Sequence, residues 1–244
     1  MSLIPEAGAR VRLWDWPVRI CHWSFVILLP VQWWTMKKGM IDWHMRLGLV
    51  MLALVLFRIV WGFIGPETAR FSRFVKGPGP ILAYLRGKAE PVVGHNPVGA
   101  LSVIALLGLL AAQVGVGLFT QDVDGFASGP LAIWISYDAA DKARHWHGLI
   151  FNLLLAFVAL HLLAILFYTF VKRDNLVRPM VTGYRRFAEA VTPPRFAPLW
   201  RLALAIVVAA GIAWWVSKGA PIPGVKPPPP SDPFALALQA FRRA

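Results

Sequence analysis

The sequence predicts an all-α fold, an integral membrane helical bundle. Three observations carry that prediction. The chain of 244 residues is 57% hydrophobic and its mean hydropathy is +0.58, too apolar for an ordinary soluble domain. Five stretches are long enough to cross a bilayer, which takes about 20 mainly apolar residues. The formal charge of +13 lies between those stretches, as the positive-inside rule requires, so no nucleic-acid partner is needed to explain it. No cleavable signal peptide is expected, because Trp14-Asp15-Trp16-Pro17 precedes the first apolar stretch and no small-residue cleavage site follows it.

The elements follow in chain order. Residues 1–15 are polar and basic, with Arg10 and Arg12. Asp15 before Pro17 suits a helix start, so span 1 is expected over 17–36, with His22 in its second turn. The turn Lys37-Lys38-Gly39 leads to span 2, 42–64, with His44 in its first turn and Arg58 deep within it. Loop 65–95 is basic and rich in Gly and Pro. Asn96-Pro97 reads as a cap and first helical residue, opening span 3 over 97–120. Loop 121–144 is acidic, with Asp122, Asp124, Asp138 and Asp141. Span 4 is expected over 145–171. A second basic segment holds Arg178, Arg185, Arg186 and Arg195, and span 5 covers 198–217. Pro221 to Pro230 reads as an extended, semi-rigid linker. Phe234, Leu238 and Phe241 share one face of a short amphipathic helix after it. No internal repeat is seen.

The basic segments set the orientation. With five spans, the N-terminus, loop 65–95 and segment 172–197 fall on one side, which should be the cytoplasm. Loop 121–144 and the tail are then periplasmic, in a bacterial inner membrane. Ten of the 12 tryptophans, including Trp14, Trp33, Trp43, Trp61, Trp146 and Trp214, cluster at expected span ends as an aromatic belt.

This topology pairs the histidines. His44 and His147 come out near the periplasmic face; His22 comes out near the cytoplasmic face and His161 past the midplane toward it, a looser depth match that ordinary helix tilt closes. His147 and His161 are 14 residues apart, nearly four whole turns, so both rings point to one side of span 4 about 21 Å apart. His145 points roughly 160° away from His161. An imidazole inside a span is costly and faces the bundle interior. Two imidazoles from facing helices at one depth are how a bundle holds haem iron. With no C-x-x-C-H, covalent c-type attachment is excluded.

Other residues fit a porphyrin. Gly48, one turn after His44, lets a flat macrocycle lie against the backbone, and Gly108, Gly115 and Gly117 offer the same on span 3. Arg58, 14 residues after His44, shares its face, and a buried arginine needs an anion; a haem propionate is suitable. Plainer readings serve elsewhere. His95 reads as an interface or hydrogen-bonded core histidine, Cys21 as a packing residue, and Gln113 as bonding a neighbouring helix. The basic loops read as topology determinants and anionic-lipid contacts.

Several motifs in order carry a resemblance: W-D-W-P-V-R-I-C-H-W at 14–23, W-H-M-R-L-G at 43–48, F-R-I-V-W-G-F-I-G at 57–65, G-H-N-P-V-G at 94–99, W-H-G-L-I-F-N-L-L-L-A-F-V-A-L-H at 146–161, and K-R-D-N-L-V-R-P-M-V-T-G at 172–183. In these the chain resembles the prokaryotic di-haem cytochrome b family that includes the cytochrome b subunit of nickel–iron hydrogenases. The resemblance covers about residues 11–186. It implies a four-helix core with two non-covalent, bis-histidine b haems, the ligands being His22 with His161 and His44 with His147. It also implies electron transfer across the membrane, between a periplasmic redox partner and the quinone pool. Where the family often has Glu after the fourth-helix ligand, this chain has Gly148, and His145 precedes that ligand.

The expected organisation is a di-haem four-helix domain over 11–186, a fifth span with its lead-in over 187–218, and a Pro-rich periplasmic tail over 219–244. The expected role is an electron-transfer subunit, not itself an enzyme. Its partners would be a periplasmic c-type cytochrome or oxidoreductase subunit, quinone and membrane lipid, with a homodimer as a candidate assembly. The residues alone leave two other readings open: a transporter or metal-ion channel lined by histidine and Arg58, or a structural anchor for a periplasmic partner.

Overall fold

The computed structural model describes residues 8, 10–88, 93–122 and 127–228. The segment expected to form the amphipathic tail helix (Phe234, Leu238, Phe241) and Asp124 of the acidic loop lie outside the described residues. The helices are α1 (Trp16–Lys37), α2 (Ile41–Ile64), α3 (Phe71–Phe74), α4 (Pro78–Leu85), α5 (Pro97–Gly117), α6 (Tyr137–Phe170), α7 (Val177–Thr182) and α8 (Leu199–Ser217). A short 3-10 helix, Ala132–Trp134, precedes α6.

Helix starts follow their caps. The Asp15 carboxylate accepts from the Val18 N–H at 3.2 Å, and the Asn96 side chain accepts from the Gly99 N–H at 2.7 Å, satisfying donors that no earlier turn can reach. The largest departure from the sequence reading is α6, which starts at Tyr137 rather than 145. Ser136 caps it, accepting from the Ala139 N–H at 3.3 Å, and Asp138 sits in the first turn, where negative charge meets the positive end of the helix dipole. The preceding loop is correspondingly shorter. At 34 residues α6 is about 51 Å long, against a hydrocarbon core of about 30 Å; its polar first turns extend past the apolar part.

Four helices, α2, α5, α6 and α8, are long and apolar enough to cross a membrane, with mean hydropathies of 2.4, 2.1, 2.7 and 1.9. The chain is a multi-pass membrane protein. The first expected span, α1, has 22 residues and is long enough, but Arg19, His22, Gln32, two prolines and four tryptophans dilute its apolar character.

Packing centres on α2, which touches α1, α5 and α8, while α6 lies along α5. Met51 and Val55 of α2, Leu107 and Leu110 of α5, and Leu154 of α6 form one buried cluster, with Phe25, Leu28 and Leu29 of α1 against it. Those four helices share a core. Helix α8 lies outside it, burying Leu202, Ala205, Ala209, Ala213 and Val216, a small-residue stripe that lets two backbones approach closely. Much of α6 faces outward, with Leu160, Leu163 and Phe170 more than half exposed, as lipid-facing side chains are.

One end of the bundle carries structure that no apolar periodicity announces. Strand β1 (Arg10–Arg12) pairs antiparallel with β2 (Tyr184–Arg186), Val11 opposite Arg185, tying the N-terminus to the segment after α6. Arg19 donates to the carbonyls of Met180 and Val181, and Trp23 Nε1 donates to Met180 O. Two tryptophans expected in the aromatic belt are instead buried here. Trp61, 2% exposed, donates from Nε1 to Asp15 Oδ2 at 2.8 Å, and Trp14 packs on His95 with ring centroids 4.6 Å apart. Trp33, Trp34, Trp43, Trp146, Trp200 and Trp214 are exposed, as belt residues should be.

Candidate functional site

His44, in the first turn of α2, and His147, in the third turn of α6, meet at the bundle end opposite the ribbon. Their ring centroids are 6.3 Å apart and their planes lie at 85°. Each ring is tied by Nδ1 to a backbone carbonyl on another helix, His44 to Gln32 O of α1 at 3.0 Å and His147 to Gln113 O of α5 at 2.9 Å. A carbonyl only accepts, so both rings carry their proton on Nδ1 and keep the lone pair on Nε2. That is the arrangement that orients a metal-ligating imidazole.

Glycine makes room for one of these rings. A Cβ on Gly117 would stand 2.8 Å from His147 Cε1, inside contact distance, so α5 cradles the imidazole only while residue 117 has no side chain. At Gly48 the nearest atom to an added Cβ is Gln32 Nε2, at 3.5 Å, ordinary contact. Gly108 and Gly115 have open space where a Cβ would stand. Gln113 also reaches His147 with its side chain, its Nε2 3.0 Å from the ring Nε2. This realises the interhelical bond expected of Gln113 and adds a backbone bond that no side-chain reasoning contains.

The second pair sits toward the ribbon end. His22 of α1 and His161 of α6 lie within electrostatic reach of each other. His161 Nδ1 is 3.2 Å from Ser102 Oγ of α5. His22 packs edge-on against Trp23, and its Nδ1 is buried without a partner among the described residues. A hydroxyl both donates and accepts, and among the described residues no carbonyl bond fixes the tautomers of this pair as it does those of the other. His145, exposed on α6, takes no part in either pair. Because α6 begins two turns before it, position 145 is well inside the helix and its direction is set by the helix.

Arg58 is 7% exposed. Its Nη1 lies 3.5 Å from Ala69 O, its guanidinium stands over the Phe71 ring at 5.4 Å, and Asp15 and Cys21 are within electrostatic reach. Among the described residues, the Asp15 carboxyl is an acidic group within electrostatic reach of Arg58. Burial pushes the Asp15 carboxyl above its ordinary value, while the Trp61 and Val18 hydrogen bonds and the Arg58 charge pull the other way. His95, also near Arg58, lies between Trp14 and Phe74. Burial, with the Arg58 charge adding to it, pushes its imidazole down to about 3. It lines a cavity of about 450 Å³ with Thr68, Arg73, Phe74 and Lys76.

The donor set fits haem iron at the His44–His147 pair. Among the described residues no three of His, Cys, Asp and Glu gather to hold a metal ion, whereas a protein-only zinc site takes three or four ligands. Two imidazoles alone suit a metal whose other positions a macrocycle fills. With a metal–imidazole bond of about 2.0–2.1 Å, the centres of two rings sharing one metal would stand about 6 Å apart, close to the 6.3 Å centroid spacing of the pair.

Comparison with known proteins gives the family. A family model described as prokaryotic cytochrome b561 matches residues 13–183. A probable Ni/Fe-hydrogenase B-type cytochrome subunit of Bradyrhizobium diazoefficiens is 24% identical over 218 residues, covering 73% of this chain and 87% of the relative. Proteins of the same description from Azotobacter chroococcum and Azotobacter vinelandii are 25% and 24% identical over 167 residues, each covering 60% of this chain and 68% of the relative. No solved structure gives a significant match. The family match spans the four-helix core and both histidine pairs, and the chain belongs to the prokaryotic cytochrome b561 family, whose members are b-type haem membrane proteins with a role in electron transfer.

Proposed function

We propose that this chain carries electrons across the bacterial inner membrane through two b haems, one held by His44 and His147 and one by His22 and His161. The observation that carries the reading is the meeting of His44 and His147, each tautomer fixed by a backbone carbonyl so that the lone pair lies on Nε2. Bound haem iron supplies the one-electron chemistry, which a protein side chain set of this kind does not. The protein's own parts are ligation, orientation and exclusion of water. His147 and His161 bracket about 21 Å of α6, a large share of the hydrocarbon thickness. Met51, Val55, Leu107, Leu110 and Leu154 fill the core shared by the four helices and keep it dry. Arg58 puts a positive charge at the depth of the His22–His161 pair, offset by Asp15.

On this reading the end bearing His44 and His147 faces the periplasm and meets the redox partner. The names of the relatives favour a hydrogenase subunit there; a c-type cytochrome or another oxidoreductase subunit would serve the same chemistry. Quinone would exchange electrons at the cytoplasmic end, where the cavity beside His95 opens. The test is a dithionite-reduced minus air-oxidised absorption spectrum of the purified protein, with haem quantified per chain. The reading requires a b-type α band and two haems. A colourless protein would favour the anchor or channel readings instead.

A further inference from the structure

The two histidine pairs differ in what bonds to Nδ1. His44 Nδ1 donates to Gln32 O at 3.0 Å, and His147 Nδ1 to Gln113 O at 2.9 Å. His161 Nδ1 meets the Ser102 hydroxyl of α5 instead, at 3.2 Å. With Nδ1 of His161 engaged by Ser102, Nε2 is the nitrogen on offer to iron. A neutral ring that ligates through Nε2 carries its proton on Nδ1, so the serine oxygen is the acceptor. The acceptors of the two pairs are not equal. Amide resonance makes a peptide carbonyl oxygen electron-rich, and it accepts more strongly than a neutral hydroxyl; the longer contact at Ser102 agrees. A strong acceptor at Nδ1 draws the ring proton toward itself and makes the coordinating nitrogen more basic. A more basic ligand favours ferric over ferrous iron, and such second-shell bonds are one lever on a haem potential.

We propose that Ser102 is a positioning residue for His161, and that its weaker bond leaves the His22–His161 haem the higher in potential of the two. This rests on the haem reading of both pairs. Two carbonyls act on the periplasmic pair. Among the described residues one hydroxyl acts on the other pair, since no protein group accepts from His22 Nδ1. Ser102 therefore holds the direction of the His161 ring between α5 and α6 without pushing it far toward imidazolate. The positive charge of Arg58 at that depth works in the same direction. An electron shared between the two haems rests on the cytoplasmic one.

A spectroelectrochemical titration of the purified, haem-loaded protein tests this. Wild type should show two one-electron waves. The higher wave should be the one that persists in His147→Ala, which lacks the periplasmic ligand. Ser102→Ala removes the acceptor, so the higher wave should move further up while the lower one stays. The size is at most that of one net hydrogen bond, about two- to tenfold in the ferric-to-ferrous ratio, or about 20–60 mV for one electron. Ser102→Thr keeps a hydroxyl and should keep the wild-type value. Ser102→Cys, a weaker acceptor of similar size, should shift upward as alanine does. A merely structural role would lower the haem content without an ordered shift in potential. The proposal is overturned by a higher wave that disappears in His147→Ala, by no shift or a downward shift in Ser102→Ala, by a threonine variant that shifts like alanine, or by loss of the cytoplasmic haem in both the alanine and cysteine variants. A wild-type protein with no haem would instead overturn the reading on which it rests.

Discussion

His44 and His147 come from different helices, yet their rings stand 6.3 Å apart at 85° with matching bonds from Nδ1 to the backbone of a glutamine. Neither glutamine carbonyl depends on side-chain identity, so the tautomers are set by the helix geometry of α1 and α5. Mutations that shift those helices relative to the rings should therefore act on the haem more strongly than mutations that change nearby side chains.

Gly117→Ala tests this first. The new methyl would lie 2.8 Å from His147 Cε1, and overpacking of this kind costs about 1–3 kcal/mol. The expected result is roughly a five- to hundredfold weaker hold on the periplasmic haem, read as haem per chain under limiting haem supply. Gly148→Ala, where an added Cβ meets nothing within 4 Å, should leave both haems in place.

Arg58 and Asp15 should shift the cytoplasmic haem in opposite directions. A unit charge about 10–20 Å away at an effective dielectric of about 20 is worth about 0.8–1.7 kcal/mol, or about 35–70 mV for one electron. Arg58→Gln removes a positive charge that favours the reduced state and should lower that potential by up to this amount. Asp15→Asn should raise it to the extent that the buried carboxyl is ionised. A redox titration in which neither haem moves with Arg58→Gln defeats the role given to Arg58.

His95 predicts an acid sensitivity. Its ordinary value is 6.5 and burial lowers it to about 3 in the folded protein. Between those values the unfolded chain binds the proton and the folded chain does not, so stability rises with pH across the window. The contribution is complete above about pH 6.5 and is lost as pH falls toward 3. At pH 5 the loss is at most about 2 kcal/mol. His95→Phe, filling the space between Trp14 and Phe74, should flatten the fall in Tm between pH 7 and pH 5; Asp15 is present in both proteins and cancels. Equal slopes for the two proteins would contradict the burial of His95.

The positions of the helices were largely legible in the sequence, because apolar runs and caps are local signals. Asp15-x-Pro17 and Asn96-Pro97 stand where α1 and α5 begin. The start of α6 lies two turns before its apolar run, so hydropathy does not mark it and the cap of Ser136 with Asp138 does. The ribbon of Arg10–Arg12 with Tyr184–Arg186 was invisible, since a three-residue strand has no alternation to read and its partner is far along the chain. Depth and face brought His44 to His147 on paper. The Gln32 and Gln113 carbonyls that orient them leave no trace in residue types; two glutamines inside apolar spans were the available hint. Arg58 called for an anion, and Asp15, which folds back over the start of α1 to Trp61, lies near it.

Topology is open to a direct check. If α1 crosses alongside α2, α5, α6 and α8, residues 10–12 should face the cytoplasm and the Pro-rich tail the periplasm. A reporter active only in the periplasm, fused after Ala244, should be active. Silence there with an active cytoplasmic reporter would mean that α1 does not cross, and would invert the assignment of the two histidine pairs to the two faces.

The central claim is tested most directly by haem counting on three proteins: wild type, His147→Ala and His145→Ala, each purified and measured by pyridine haemochrome against protein. His147 faces His44, while His145 is exposed on the other side of the same helix. The account predicts two haems per chain in wild type, one in His147→Ala and two in His145→Ala. Two haems retained in His147→Ala, with one lost in His145→Ala, would contradict it.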